Sequence, residues 1–174
     1  MTTVADHALI LPILLPFAAG VGLLLWQTPD ALLGQRRLSL AATAALPLLA
    51  ALLVFFTTDG ADRFYAPGHW PAPFGIVLML DRLSALLLLL TALVALPALC
   101  YAMAPDADRQ GRFFHPLFQF QLMGLNGAFL TADLFNLFVF FEILLMASYS
   151  LLAHGGGRER IRAGLHYVIL NLTG

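Results

Sequence analysis

The chain has 174 residues, of which 60% are hydrophobic and 11% charged, and its mean hydropathy is +0.86. Soluble domains carry roughly 25% charged residues, so a soluble globular domain is excluded and an integral membrane protein is expected. A net charge of −1 offers no basic field for nucleic acid, and one cysteine, Cys100, can build neither a disulfide framework nor a cysteine-ligated metal site.

In chain order, the amino terminus MTTVADH lacks the positive n-region and cleavage pattern of a secretory signal, so the first hydrophobic segment is expected in the mature protein. Apolar runs near the ~20 residues needed to span the hydrocarbon core fall at 8–26, 38–56, 83–103, 113–131 and 134–153. A sixth begins near Ile161 and is incomplete at Gly174, which reads as a cut through a helix. The expected fold class is therefore all-α: a polytopic transmembrane bundle of five complete spans plus the start of a sixth, part of one larger transmembrane domain. Pro12, Pro16, Pro47 and Pro97 lie within spans, where neighbouring groups can satisfy the backbone carbonyls that proline leaves free. Cys100 is expected as a small buried residue. The connection 57–82 contains DRFYAPGHWPAPFG, whose Pro and Gly oppose a regular helix. It is expected as an irregular outer loop with Phe64, Tyr65, Trp70 and Phe74 at the membrane interface. His69 within it reads as a solvated loop residue, because no second ligand stands at metal spacing. Gly155–Gly157 reads as a flexible link, since the Lys-Ser/Thr ending of a phosphate loop is absent. No cofactor and no metal are expected.

All nine cations are arginine. Arg36, Arg37, Arg109, Arg112, Arg158, Arg160 and Arg162 fall in alternate connections, whereas only Arg63 and Arg82 fall in the others. By the positive-inside rule the first set is cytoplasmic and the amino terminus lies outside.

Glu142 is the sole ionisable group in LFNLFVFFEILLMASYSLLA, residues 134–153. A carboxylate at that depth costs roughly 2.5–3.5 kcal/mol on insertion scales, and such residues mark proton relays and ion pathways. The alternative is a Glu kept neutral, or paired with a cation, to hold helices together. At 3.6 residues per turn, Phe135, Phe138, Val139, Leu145, Met146 and Tyr149 share a face with Glu142. Tyr149 is a candidate support along that stripe, or an interfacial anchor. Asp133 is placed to cap the helix or to bind an ion, and Asn136 suits an interhelical hydrogen bond. His166, early in the sixth helix, is a candidate relay because imidazole titrates near neutral pH. It reads equally well as an interfacial residue with no role.

The stretch LTADLFNLFVFFEILLMASYSLLAHGGGRERIRAGLHYVILNLTG, and LDRLSALLLLLTAL at 80–93, resemble the proton-conducting membrane subunits shared by respiratory complex I and Mrp-type multisubunit cation/proton antiporters. The strings DLFNLFVFFE and YVILN and the glycine loop most resemble the Mrp D subunit. The resemblance implies two inverted repeats, each with a broken helix, and a fifth-helix Glu, here Glu142, working with a Lys on the seventh helix. Where the family opens its sixth helix with Lys, this chain has His166. It further implies a subunit exchanging monovalent cations, sodium or potassium, for protons, with lipid and other membrane subunits as partners. The alternatives are a pumping subunit of a complex I-like quinone oxidoreductase or membrane hydrogenase, and an inert scaffold.

Overall fold

A computed structural model of the chain describes residues 7–28, 31–69 and 75–173. Six helices make up most of it: α1 (Leu11–Leu25), α2 (Leu32–Phe56), α3 (Arg82–Met103), α4 (Phe114–Leu130), α5 (Leu134–Leu152) and α6 (Arg158–Thr173). Ala8–Leu25, α2, α3 and α5 are long and apolar enough to cross a membrane. That makes four such helices among the described residues, where the hydrophobic runs predict five spans. The difference is α4: its 17 residues extend about 25 Å, short of the ~30 Å hydrocarbon core.

The position of α4 explains its composition. It packs against α1, α2, α3 and α5, so its polar side chains meet neighbouring helices. Gln119, fully buried, donates through Nε2 to the Ser39 hydroxyl at 3.0 Å and the Thr43 hydroxyl at 2.9 Å. Asn126 donates through Nδ2 to the Pro12 carbonyl at 2.8 Å. That carbonyl would ordinarily accept from the amide four residues on, but residue 16 is proline and has no N–H. The acceptor left free by Pro16 is thus satisfied by a side chain from α4. Close approach between α4 and α5 depends on glycine: a Cβ at Gly124 would stand 2.8 Å from the Leu144 backbone nitrogen.

Several boundaries differ from those expected. α2 starts at Leu32 and not near residue 38, because Leu32 and Leu33 extend the apolar run back past Arg36 and Arg37, which therefore lie inside the helix. The connection 57–82 holds an antiparallel pair, β1 (Arg63–Tyr65) and β2 (Leu78–Leu80), with Phe64 opposite Met79. The all-α expectation is corrected to that extent. Leu78 and Leu80 point inward and are buried. A bridge from Leu78 to Thr131, and an Ala132 amide donating to the Val77 carbonyl at 2.9 Å, tie this hairpin to the α4–α5 turn. Phe64 is exposed, whereas Tyr65 is buried, its hydroxyl 2.8 Å from His7 Nδ1. Trp70, Phe74 and the His69 side chain lie outside the described residues. Cys100 is exposed on α3, not buried, because it falls on the outward side of that helix. Gly155, Gly156 and Gly157 have φ of 83°, 67° and 96°, a backbone that L side chains rarely adopt.

The arginines sort by role. Arg63 donates to the Phe56 carbonyl, and Arg82 to those of Thr57 and Thr58. Both place a cation at the carboxyl end of α2, where free carbonyls and the helix dipole favour it. At the other end of the bundle, Arg36 meets Asp106 and Asp108, Arg112 donates to the Gln27 carbonyl, and Arg160 to Gln110. The connections after α1, α3 and α5 are thereby gathered at one end.

Candidate proton-transfer site

Asp133 fixes the start of α5. Its side chain accepts from the Phe135 amide at 3.0 Å and from the Asn136 side chain, so it is a helix cap. Asn136 donates to that cap, and among the described residues the interhelical bond expected of it is not made. From this start, two turns of helix place Glu142 on the outer side of α5, exposed. It lines a cavity of about 420 Å³ with Leu117 and Phe120 of α4, and with Met146, Ala147 and Ser150 of its own helix.

That cavity is one of three that adjoin. Leu117, Phe120 and Ser150 also line a second, of about 440 Å³, reaching Gly111, Arg112 and His154. Gly111 and Arg112 in turn line a third, of about 450 Å³, bounded by Gln27, Gln35, Arg109 and His115. The first two cavities together form a groove along α4 and α5 from Gly111 and Arg112 to Glu142; the third opens beside it at the arginine-rich end and has no α5 residue in its wall. The depth of the groove follows from packing: Gly124 lies against Leu144 and Gly127 against Phe140, which sets Glu142 level with residues 125–126 of α4. At 1.5 Å per residue that is about 15 Å deeper than His115.

The other candidates are placed apart from Glu142. Tyr149 is half-buried, its ring edge-on to Tyr167 of α6 at 5.4 Å, and among the described residues its hydroxyl has no partner. His166 is exposed, with Nδ1 donating to the Arg162 carbonyl of its own helix at 2.8 Å. Among the described residues no hydrogen bond or ion pair joins Glu142 to either. Ser150, one helical turn beyond Met146 on the groove wall, is the polar residue nearest in sequence to Glu142 that shares its cavity.

At the mouth of the groove is a cluster that the sequence pattern does not single out. Arg36 donates through Nε to Asp108 Oδ2 at 2.6 Å and through Nη2 to Asp108 Oδ1 at 2.5 Å and Asp106 Oδ1 at 2.6 Å. Asp108 accepts a further bond from His115 Nε2 at 3.1 Å. The Asp108 side chain is 0% exposed and that of His115 2%. Burial alone would raise the Asp108 carboxyl, but the hydrogen bonds and charge of Arg36, joined by His115, outweigh it and hold the group below its ordinary value. The signal available in the sequence is weak: an acid pair in a short loop and a polar residue opening an apolar helix.

No protein-family model matches the chain. It is 50% identical over 178 residues to the D subunit of a probable K(+)/H(+) antiporter of Rhizobium meliloti, an alignment covering 99% of this chain and 33% of that protein. The chain matches the amino-terminal third of antiporter D subunits. It is also 39% identical over 168 residues to the D subunit of the Na(+)/H(+) antiporter of Alkalihalophilus pseudofirmus, covering 96% of this chain and 34% of that one. Among solved structures, the Mrp complex from Dietzia sp. DQ12-45-1b superposes with a TM-score of 0.81 at 30% identity, over 98% of this chain and 32% of the other. An archaeal respiratory membrane complex, the membrane-bound sulfane sulfur reductase, superposes at 0.83 with 25% identity, over 95% and 34%. The chain thus spans about a third of the length of the antiporter relatives it matches, and with its apolar helices it is a multi-pass membrane protein.

Proposed function

We propose that the chain is part of the proton-translocating D subunit of a multisubunit monovalent cation/proton antiporter, with Glu142 as the carboxylate that carries the proton. The observation behind this reading is the placement of Glu142 on the groove that descends from the arginine-rich end. A carboxylate with an aqueous approach on one side and apolar helix around it can alternate between neutral and charged states as a partner cation moves. The relatives named for K(+)/H(+) and Na(+)/H(+) exchange support a monovalent cation as the exchanged ion. In this reading α4 crosses as a fifth, thinner span, the arginine-rich end faces the cytoplasm of a bacterial inner membrane, and the amino terminus lies outside. Other membrane subunits and lipid cover the exposed apolar surfaces of α1, α3 and α5. Tyr149 serves at the α5–α6 contact and His166 bonds within its own helix, neither of them in direct transfer to Glu142. The archaeal respiratory neighbour favours, as second reading, a pumping subunit of an oxidoreductase built on the same fold.

The test is exchange by the complete complex in vesicles. Glu142→Gln keeps shape and hydrogen bonding but cannot ionise, so exchange collapses while assembly stays near normal, and Glu142→Asp retains part of it. Exchange by the Gln variant close to the parent, at equal protein level, overturns the assignment.

A further inference from the structure

The buried cluster at the mouth of the groove has a defined chemistry. Asp108 is held as a carboxylate by two hydrogen bonds from Arg36, and a carboxylate can only accept. His115 Nε2, 3.1 Å away, must therefore carry hydrogen, which leaves Nδ1 of the neutral ring with a free lone pair. Nδ1 is buried and, among the described residues, has no partner. His115 is also part of the wall of the 450 Å³ cavity, which is many times the ~30 Å³ share of one water in the liquid. A buried acceptor without a partner is costly, and a carboxylate behind the ring is what stabilises an imidazolium. Resting on the reading of Glu142 as proton carrier, we infer that His115, backed by Asp108, is the group that takes up protons from the aqueous phase at the arginine-rich end and supplies the groove leading to Glu142.

The step balances simply. A hydronium ion or buffer acid gives its proton to Nδ1, the ring becomes imidazolium, and Nε2–H stays bonded to Asp108. The same Nδ1 proton then leaves to water in the groove. Every charged group facing the ring takes part in setting that equilibrium. Asp108 favours the proton, while burial of the ring, Arg36 from α2 and His154 beyond the end of α5 oppose it; Arg109 and Arg112 line the same cavity. Phe114 packs against both imidazoles, its ring 5.4 Å from that of His115 and 5.3 Å from that of His154.

The experiment uses the complete complex in vesicles, with exchange measured from about pH 6.5 to about pH 9, around and above the ordinary histidine range. His115→Gln should leave exchange near the parent at the acid end and lower it by about tenfold or more at the alkaline end, where protons are scarce. His115→Ala should behave alike and regain exchange when imidazole is added to the buffer, which a purely packing role would not allow. Profiles that superimpose on the parent, or a loss equal at every pH with no rescue by imidazole, overturn the inference. Glu142→Gln measured in parallel separates the two readings. Exchange lost there with an unchanged His115→Gln profile rejects only the His115 assignment, and exchange kept there rejects the Glu142 reading whatever His115 does.

Discussion

Replacing Arg36 by Gln tests whether the cluster at the mouth of the groove is held by charge. Asp108 is fully enclosed, and Arg36, 18% exposed, supplies two of its hydrogen bonds and its neutralising charge. Removing one partner of a buried ion pair leaves an uncompensated charge and costs about 3–5 kcal/mol. That corresponds to roughly two to three and a half orders of magnitude in the folded-to-unfolded ratio. Removing both charges together is different: Asp108→Asn in the Arg36→Gln background leaves two neutral amides at bonding distance, and replacement of a whole buried pair is often close to neutral. The assay is survival of the assembled complex after heating in detergent, read by fluorescence-detected size exclusion. The expected order is parent, then the double variant close behind, then Arg36→Gln far below. The sign with pH follows from the direction of the Asp108 shift. A depressed carboxyl contributes stability above its unfolded value near 3.9, lost as pH falls through the lower folded value. The parent advantage over the double variant should therefore vanish in strong acid and be constant near neutrality. An Arg36→Gln complex as stable as the parent, or a double variant no better than the single, refutes the reasoning.

Two further outcomes are expected. Asn126→Leu removes the side-chain donor to the Pro12 carbonyl and should destabilise the complex by about 1–2 kcal/mol; adding Pro16→Ala, which restores an amide four residues on, should recover most of that in the same heating assay, and no recovery rejects this account of the freed carbonyl. In a Cys100→Ser background, a cysteine at Gly156 should react only with reagent that has entered the cytoplasm and one at Gly68 only from outside; the reverse pattern rejects the proposed orientation while leaving the shared end of the arginine-bearing connections intact.

Hydropathy alone decides that this is a membrane protein, because runs of apolar residues interrupted by a lone Glu142 have no favourable place in water. The spacing of Arg36, Arg109, Arg112 and Arg160 likewise implies that their connections share one end, since charge confines each loop to one side of a bilayer. The local signal at Asp133 suffices for the cap of α5, which needs only a side-chain oxygen near a free amide. Other features depend on partners distant in sequence. Gln119 and Asn126 look like flaws in an apolar run until Ser39, Thr43 and the carbonyl freed by Pro16 are brought opposite them. Arg63 and Arg82 look like exceptions to the charge bias until the end of α2 is set beside them. Asp108 and His115 are seven residues apart, but it is Arg36, more than seventy residues earlier, that fixes the charge of one and the tautomer of the other. Helical periodicity puts Tyr149 on the Glu142 stripe, yet the packing of α4 against α5 chooses Ser150 for the groove, because a cavity is shaped by the helix that faces it and not by the helix that carries the residue.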